Sequence, residues 1–407
     1  MKIKKLSNGI PVIIEKITTS KSVSMGIFVK TGTKYELENE AGISHFLEHM
    51  LFKGTKTRTA KQISEEIDDV GGEMNAFTSK EITAFYIKSL SEYTKIGIDI
   101  LSDIYLNSIF STEEMKKERG VIIEEIRMYE DIPEEKIHDL NSAKVLEGGV
   151  LANPVLGTEE SVNEITSEEL ASYWKQRYTT DNTFISVVGD INEDEVLKEL
   201  ENKFALLERK SQKRKYDGKF KFNYGIEEMK KDIQQVHLCL NVEAIKRKDE
   251  KRYTLAILSN ILGGNMSSRL FQEVREERGL AYTIHSYSTS YEEGGLFTVY
   301  AATTKEAYKE VLEIIKKEFD KIKKEGITKQ ELNRAKNQLK SSLILGLEST
   351  KARMVRFARV FMDYGEIETI EKTIEKIEKV TLENVKDFAN EMFNNEKYFI
   401  TVLGDLQ

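Results

Sequence analysis

Along this chain, stretches with apolar residues at every second position, or in short β-branched blocks, alternate with stretches whose apolar residues recur every three or four positions. The first kind predicts strands near 10–16, 23–30, 82–90 and 184–188, and again near 233–242, 281–288, 296–302 and 398–403. The second kind predicts helices near 43–52, 60–70 and 95–108, a long one from Thr112 and another from Ser167. Strands that follow one another without regular β-α-β alternation point to an α+β fold, with an antiparallel sheet flanked by helices.

One pattern occurs twice. Residues 165–191 match residues 380–406 without a gap, at an offset of 215 (Gly404 minus Gly189). Thr166 pairs with Thr381, Leu170 with Val385, Tyr173 with Phe388 and Tyr178 with Phe393. In each copy a threonine cap opens an amphipathic helix and a β-rich strand closes the unit. The repeat predicts two tandem homologous domains, 1–207 and 225–407, joined by a linker at 208–224. That linker carries Arg209, Lys210, Lys213, Arg214, Lys215, Lys219 and Lys221. No aromatic platform accompanies these charges, so they read as a solvated connection and no nucleic-acid partner is expected.

Composition narrows the classes further. With 407 residues, 40% hydrophobic and 32% charged, and a net charge of −8, the chain reads as a soluble protein of at least two domains. No run approaches the roughly 18 apolar residues of a membrane span, and no apolar segment follows the basic start, so neither a membrane partner nor a secretory signal is expected. Cys239 is the only cysteine, which excludes a disulfide within the chain and suits a cytoplasmic setting.

The chemistry concentrates at His45-Phe46-Leu47-Glu48-His49. On a helix, Ile43, Phe46, Leu47, Met50 and Leu51 share one face, while His45, Glu48 and His49 share the opposite one. Two histidines four apart on one helix can reach a single metal ion, and Glu48 stands where it can take a proton from metal-activated water. The order is the reverse of the commoner His-Glu-x-x-His. Two imidazoles leave a metal site incomplete, so a third ligand is required. The helix that opens at Ser111-Thr112-Glu113-Glu114 carries Glu118, Glu124 and Glu125. Glu118 and Glu125 share a face, but spacing alone leaves Glu124 and Glu125 both open.

These residues resemble the pitrilysin and mitochondrial-processing-peptidase family of zinc peptidases, and bacterial processing proteases in particular. The likeness lies in Gly42-Ile43-Ser44-His45-Phe46-Leu47-Glu48-His49-Met50-Leu51-Phe52-Lys53-Gly54-Thr55, in Asn75-Ala76-Phe77-Thr78 and in Glu118-Arg119-Gly120-Val121-Ile122-Ile123-Glu124-Glu125-Ile126. It extends to Gly263-Gly264-Asn265-Met266-Ser267-Ser268-Arg269-Leu270-Phe271 and Arg275-Glu276-Glu277-Arg278-Gly279-Leu280-Ala281-Tyr282. The resemblance implies His45, His49 and Glu125 as ligands of one Zn2+ per chain, Glu48 as general base, and Glu118 as a carboxylate that orients the site. It further implies Asn75, Ala76 and Phe77 as a strand edge that adds a peptide substrate, and Arg275 and Tyr282 as a pair that contacts substrate near the scissile bond. A chain of this kind is half of a clamshell, which leads to the expectation of a homodimer with composite active sites.

The second half lacks the metal motif. Aligning Thr112 with Lys329, an offset of 217, sets Ala335 opposite Glu118 and Ser342 opposite Glu125. The implied activity is zinc-dependent endoproteolysis of peptides or unfolded segments. The alternatives are a non-catalytic or partner-dependent binding subunit of the same fold, and, more remotely, another metal hydrolase. His138, His237 and His285 receive no catalytic role, and His237 reads as structural. Gly263-Gly264 lacks the Lys-Ser/Thr pair of a phosphate cradle.

Overall fold

Six strands, β1 (Lys2–Lys5), β2 (Pro11–Lys16), β3 (Ser22–Val29), β4 (Glu73–Thr78), β5 (Thr83–Leu90) and β6 (Thr183–Gly189), form one sheet in the order β1-β2-β6-β3-β5-β4. The computed structural model describes residues 1–211, 220–394 and 397–406. A second sheet contains β7 (Gly225–Lys230), β8 (Val236–Ala244), β9 (Ala281–Ser290), β10 (Gly295–Thr303) and β11 (Phe399–Gly404), in the order β7-β11-β8-β10-β9. Set beside β2-β6-β3-β5-β4, this is the same topology, so the sequence repeat is a repeat of fold. Neither sheet is wholly antiparallel as expected: β2 pairs β6, and β7 pairs β11, in parallel. The reason is that β6 and β11 each arrive through a helical crossover, Ser167–Arg177 and Leu382–Phe393, whereas a hairpin forces antiparallel pairing.

Side-chain alternation along β3 explains how the first sheet is covered. Val23, Met25, Ile27 and Val29 point into a core shared with Phe46, Leu47 and Met50 of the helix Ile43–Met50. Phe28 points the other way, with Ile13, Ala84, Tyr86, Phe184 and Val188 from neighbouring strands. This second face is also apolar, and Met354, Phe357, Ala358 and Phe361 of the helix Thr350–Tyr364 close it. Ser24 Oγ meets Thr350 Oγ1 at 2.9 Å, and Ser186 Oγ donates to the Met354 carbonyl at 3.2 Å.

The second sheet is treated in the same way. Val236, Leu238, Leu240 and Val242 of β8 face one core, while Cys239 faces Ile137 of the helix Pro133–Val145. The buried Asn141 and Asn241 exchange amide hydrogen bonds at 3.0 and 2.6 Å, and Thr401 Oγ1 adds a third at 2.8 Å to Asn141. One compact unit therefore comprises Met1–Met128, Asn153–Tyr216 and Leu347–Ile367, and the other Tyr129–Ala152, Asp217–Gly346 and Glu368–Gln407, as far as these are described. The uninterrupted halves expected from the repeat, 1–207 and 225–407, each surrender one segment to the other. Part of the expected basic linker, 212–219, lies outside the described residues.

Three histidines gather under Pro133–Val145. His138 Nδ1 lies 2.9 Å from the Tyr287 hydroxyl, and His237 Nδ1 lies 2.8 Å from that of Tyr300. The rings of His138 and His285 stand 5.0 and 5.1 Å from that of Tyr300. Cys239 is buried and free beneath them. No helix among the described residues is long and apolar enough to cross a membrane.

Two outcomes follow from this packing. Truncating Phe357, almost wholly buried against the first sheet, leaves a cavity, so Phe357→Ala is expected to lower unfolding free energy by about 3–5 kcal/mol in denaturant titration. Burial holds the pKa values of His138, His237 and His285 below the ordinary imidazole value. The unfolded chain then binds protons first as pH falls, so the stability these rings supply is present above about pH 6.5 and is lost through their lower folded values. The melting temperature should fall between pH 7 and pH 5, and by a smaller amount in His138→Gln.

Candidate metal centre

The helix Ile43–Met50 starts at Gly42, whose φ of 88° suits glycine. A Cβ there would lie 2.8 Å from the Leu156 carbonyl oxygen and 3.0 Å from the Gly157 Cα, so two backbone segments touch at this point. The helix start is capped from outside by Glu36, whose carboxylate accepts the Gly42 and Ser44 N–H groups, each at 2.9 Å. Burial pushes the Glu36 pKa up to about 7 despite those hydrogen bonds. Ser44 Oγ also meets the Tyr173 hydroxyl at 2.7 Å, and that hydroxyl meets Thr31 Oγ1 at 2.9 Å. Glu36 has no local signature, because a carboxylate that caps a helix from a preceding loop belongs to no motif.

With the helix fixed, its polar face meets the helix Thr112–Asp131. His45 Nε2 and His49 Nε2 lie 3.2 Å apart, and Glu125 Oε2 lies 3.5 Å from the second and 3.7 Å from the first. A zinc ion bound tetrahedrally at about 2.0–2.1 Å separates its ligand atoms by about 3.3–3.4 Å. These three donors fit such an ion, and among the described residues they form the one His/Cys/Asp/Glu group close enough to hold a metal. Glu124 turns outward and pairs with Arg127 at 2.7 Å, so the choice that spacing left open falls to Glu125 in the geometry.

Glu118 acts one step back. Its Oε1 lies 2.8 Å from His49 Nδ1, and its Oε2 lies 2.6 Å from Lys53 Nζ. A proton on His49 Nδ1 leaves the Nε2 lone pair directed at the three-donor cluster. Burial disfavours charge on His49, but Glu118 and Glu125 outweigh it and raise its pKa to about 9. His45 is driven the other way, to about 4, by burial and then by His49. Although it lies opposite the apolar stripe, His45 is only 7% exposed, and its buried Nδ1 has no hydrogen-bond partner.

Glu48 projects beside the cluster and accepts a short hydrogen bond from Thr78 Oγ1. Burial raises its pKa above the ordinary carboxylate value. Thr78 ends β4, which forms one border of the first sheet. Ser79 N–H donates to the Ile82 carbonyl at 2.9 Å, and ladder bonds alternate from there along β4 and β5. By that alternation Met74, Ala76 and Thr78 aim their main-chain groups away from β5, at the open edge. The Ala76 N–H is taken by the side chain of its neighbour, Asn75 Oδ1, at 2.7 Å. Phe77 packs on the opposite face, its ring 6.5 Å from that of Tyr86.

Arg275 and Tyr282 are brought together in the second unit, not the one that holds His45 and His49. The Arg275 guanidinium lies 4.5 Å from the Tyr282 ring and 4.7 Å from that of Phe271. Arg275 belongs to a π-helical stretch, Phe271–Glu277, that the periodicity did not anticipate, and Tyr282 stands 74% exposed on the border strand β9. Opposite Glu118 and Glu125, the second half presents a buried Ala335 and an exposed Ser342.

Comparison with known proteins agrees with this division. Residues 11–159 match the family described as Insulinase (Peptidase family M16), and residues 164–339 match the Peptidase M16 inactive domain. A Bacillus subtilis protein named as an uncharacterized zinc protease is 40% identical over 98% of this chain and 96% of its own length. A Mycobacterium leprae protein with the same description is 37% identical over 98% of this chain and 90% of its own. Among solved structures, a Pseudomonas fluorescens peptidase M16 inactive domain superposes with a TM-score of 0.92, at 20% identity, over 99% of this chain and 97% of that one. A Helicobacter pylori protease superposes with a TM-score of 0.89, at 22% identity, over 99% of both chains. With relatives this similar along almost its whole length, the chain belongs to the M16, pitrilysin-like family of peptidases.

Proposed function

We propose that the chain is a zinc-dependent endopeptidase acting on peptides or unfolded segments, with one ion held by His45, His49 and Glu125 and with Glu48 as general base. The observation that carries this reading is the convergence of two imidazole nitrogens and one carboxylate oxygen at separations suited to one small cation. When bound, zinc supplies Lewis acidity at a scissile carbonyl and makes a neighbouring water more acidic.

The chain's own groups do the remaining work. Glu48 takes the proton of the attacking water and passes it to the leaving amine. Burial makes this carboxylate a stronger base, and the Thr78 hydroxyl holds it in place. Glu118 is a positioning residue that fixes the His49 ring through Nδ1. The outward main-chain groups of β4 align an extended peptide as an added strand, once Asn75 releases the Ala76 N–H. Arg275 and Tyr282 come from a second copy of the chain, where the Tyr282 phenol donates to the oxyanion of the tetrahedral intermediate. A homodimer with two composite sites completes the enzyme. A single buried free thiol supports a cytoplasmic location.

Two experiments test this reading. Glu48→Gln is expected to lower cleavage of quenched fluorescent peptides about a thousandfold while keeping one zinc per chain, and chelation should abolish wild-type cleavage until zinc is restored. A protein that binds no zinc overturns the proposal, and zinc bound without cleavage favours a binding subunit instead. For the dimer, Glu48→Gln and Tyr282→Phe chains, each inactive alone, are expected to recover about a quarter of wild-type activity when mixed and reassembled, because a mixed dimer keeps one intact site. No recovery on mixing would place both residues in one chain's site.

A further inference from the structure

The first unit carries an open cleft of about 570 Å³ that shares no residue with the metal centre. Its size is that of a small-ligand site. Trp174 forms one wall and is held from three directions. Its Nε1 donates to the Tyr105 carbonyl at 3.1 Å, Phe110 meets it edge-on at 5.6 Å, and the Arg209 guanidinium lies 4.2 Å from its ring. The Arg209 carbonyl accepts the Thr180 N–H at 3.0 Å, which pins the backbone that delivers this side chain.

Arg209 has no carboxylate partner among the described residues. The two acids that line the cleft are engaged by other groups. Asp99 is held by Arg58 and Lys203, and Asp103 by Arg58, Thr55, Thr57 and Asn107. Burial pulls the Arg209 pKa below its ordinary value, as happens when a cation is desolvated without an anion beside it. Ser102 lines the same cleft, and its buried Oγ has no hydrogen-bond partner. Leu106 adds apolar wall, and Leu206 projects into water at 94% exposure.

We propose that this cleft binds the C-terminus of a peptide, with the α-carboxylate on Arg209 and an apolar last side chain against Trp174, Leu106 and Leu206. With Arg58 and Lys203 paired to Asp99 and Asp103, the single guanidinium left over, that of Arg209, suits a carboxylate monoanion better than a phosphate dianion. Asn107 and Asn202 line the cleft where peptide amides would follow. The cleft and the metal centre have no side chain in common, so the outcome here is independent of the peptidase reading.

Trp174 is the only tryptophan, so its fluorescence reports this cleft alone. Titration of the full chain with acetyl-Gly-Gly-Phe is expected to change that emission saturably. The C-terminal amide of the same peptide should give less than about a tenth of the response at equal concentration, in line with loss of a charge-assisted bidentate pair. Arg209→Gln should weaken binding at least about tenfold, and Arg209→Lys, which keeps the charge and guards against a folding defect, should lie between it and wild type. Equal responses to acid and amide, unchanged affinity in Arg209→Gln, or saturation by octanoate but not by the peptide would each overturn the proposal.

Discussion

Both sheets are apolar on two faces, and that constraint governs the rest of the structure. β3 carries Val23, Met25, Ile27 and Val29 on one side and Phe28 on the other, so one layer of helices leaves half of its apolar surface in water. The helix that closes the open face comes from the other end of the chain, and the second sheet borrows its cover from the first half in return. Each sheet is thereby completed by a segment drawn from the other half of the repeat.

The candidate metal centre is a consequence of that arrangement on the inner face of the first sheet. Phe46, Leu47 and Met50 press the short helix into the core, which fixes the direction of His45, Glu48 and His49. Glu36 and the close approach of Gly42 to Gly157 set where the helix begins. β4 places Thr78 on the same side, so the carboxylate proposed as base is held by the strand proposed to receive the substrate. In the second half, a buried Ala335 and an exposed Ser342 stand where the first half has Glu118 and Glu125. The same fold is thus retained without the two carboxylates that face His49 in the first half.

Much of this was legible in consecutive residues. Eight of the eleven strands, the first-half helices Ile43–Met50, Ala60–Asp68 and Thr94–Asn107, the doubled domain and the pairing of His45 with His49 on one helical face follow from period-2 and period-3.6 patterns. β1 and β7 were not anticipated, and β4 came only from the resemblance. The resemblance of the motifs to zinc peptidases added Glu125, which spacing could not separate from Glu124. Other features left no local trace. The parallel pairs β2-β6 and β7-β11 depend on where a returning strand inserts. The π-helical turn at Phe271–Glu277 depends on packing, and the cap from Glu36 on a loop that folds back.

The sequence by itself determined what each segment is and which face of it is apolar, because those properties reside in neighbouring side chains and the geometry of one helix turn or one pleat. Only the tertiary structure decided which helix covers which sheet and which arginine is left on a tryptophan without an anion. These outcomes rest on contacts between residues as far apart as Ser24 and Thr350, 326 positions along the chain. Burial and charge compensation at such distances are properties of the assembled core, and no window of local sequence contains both partners.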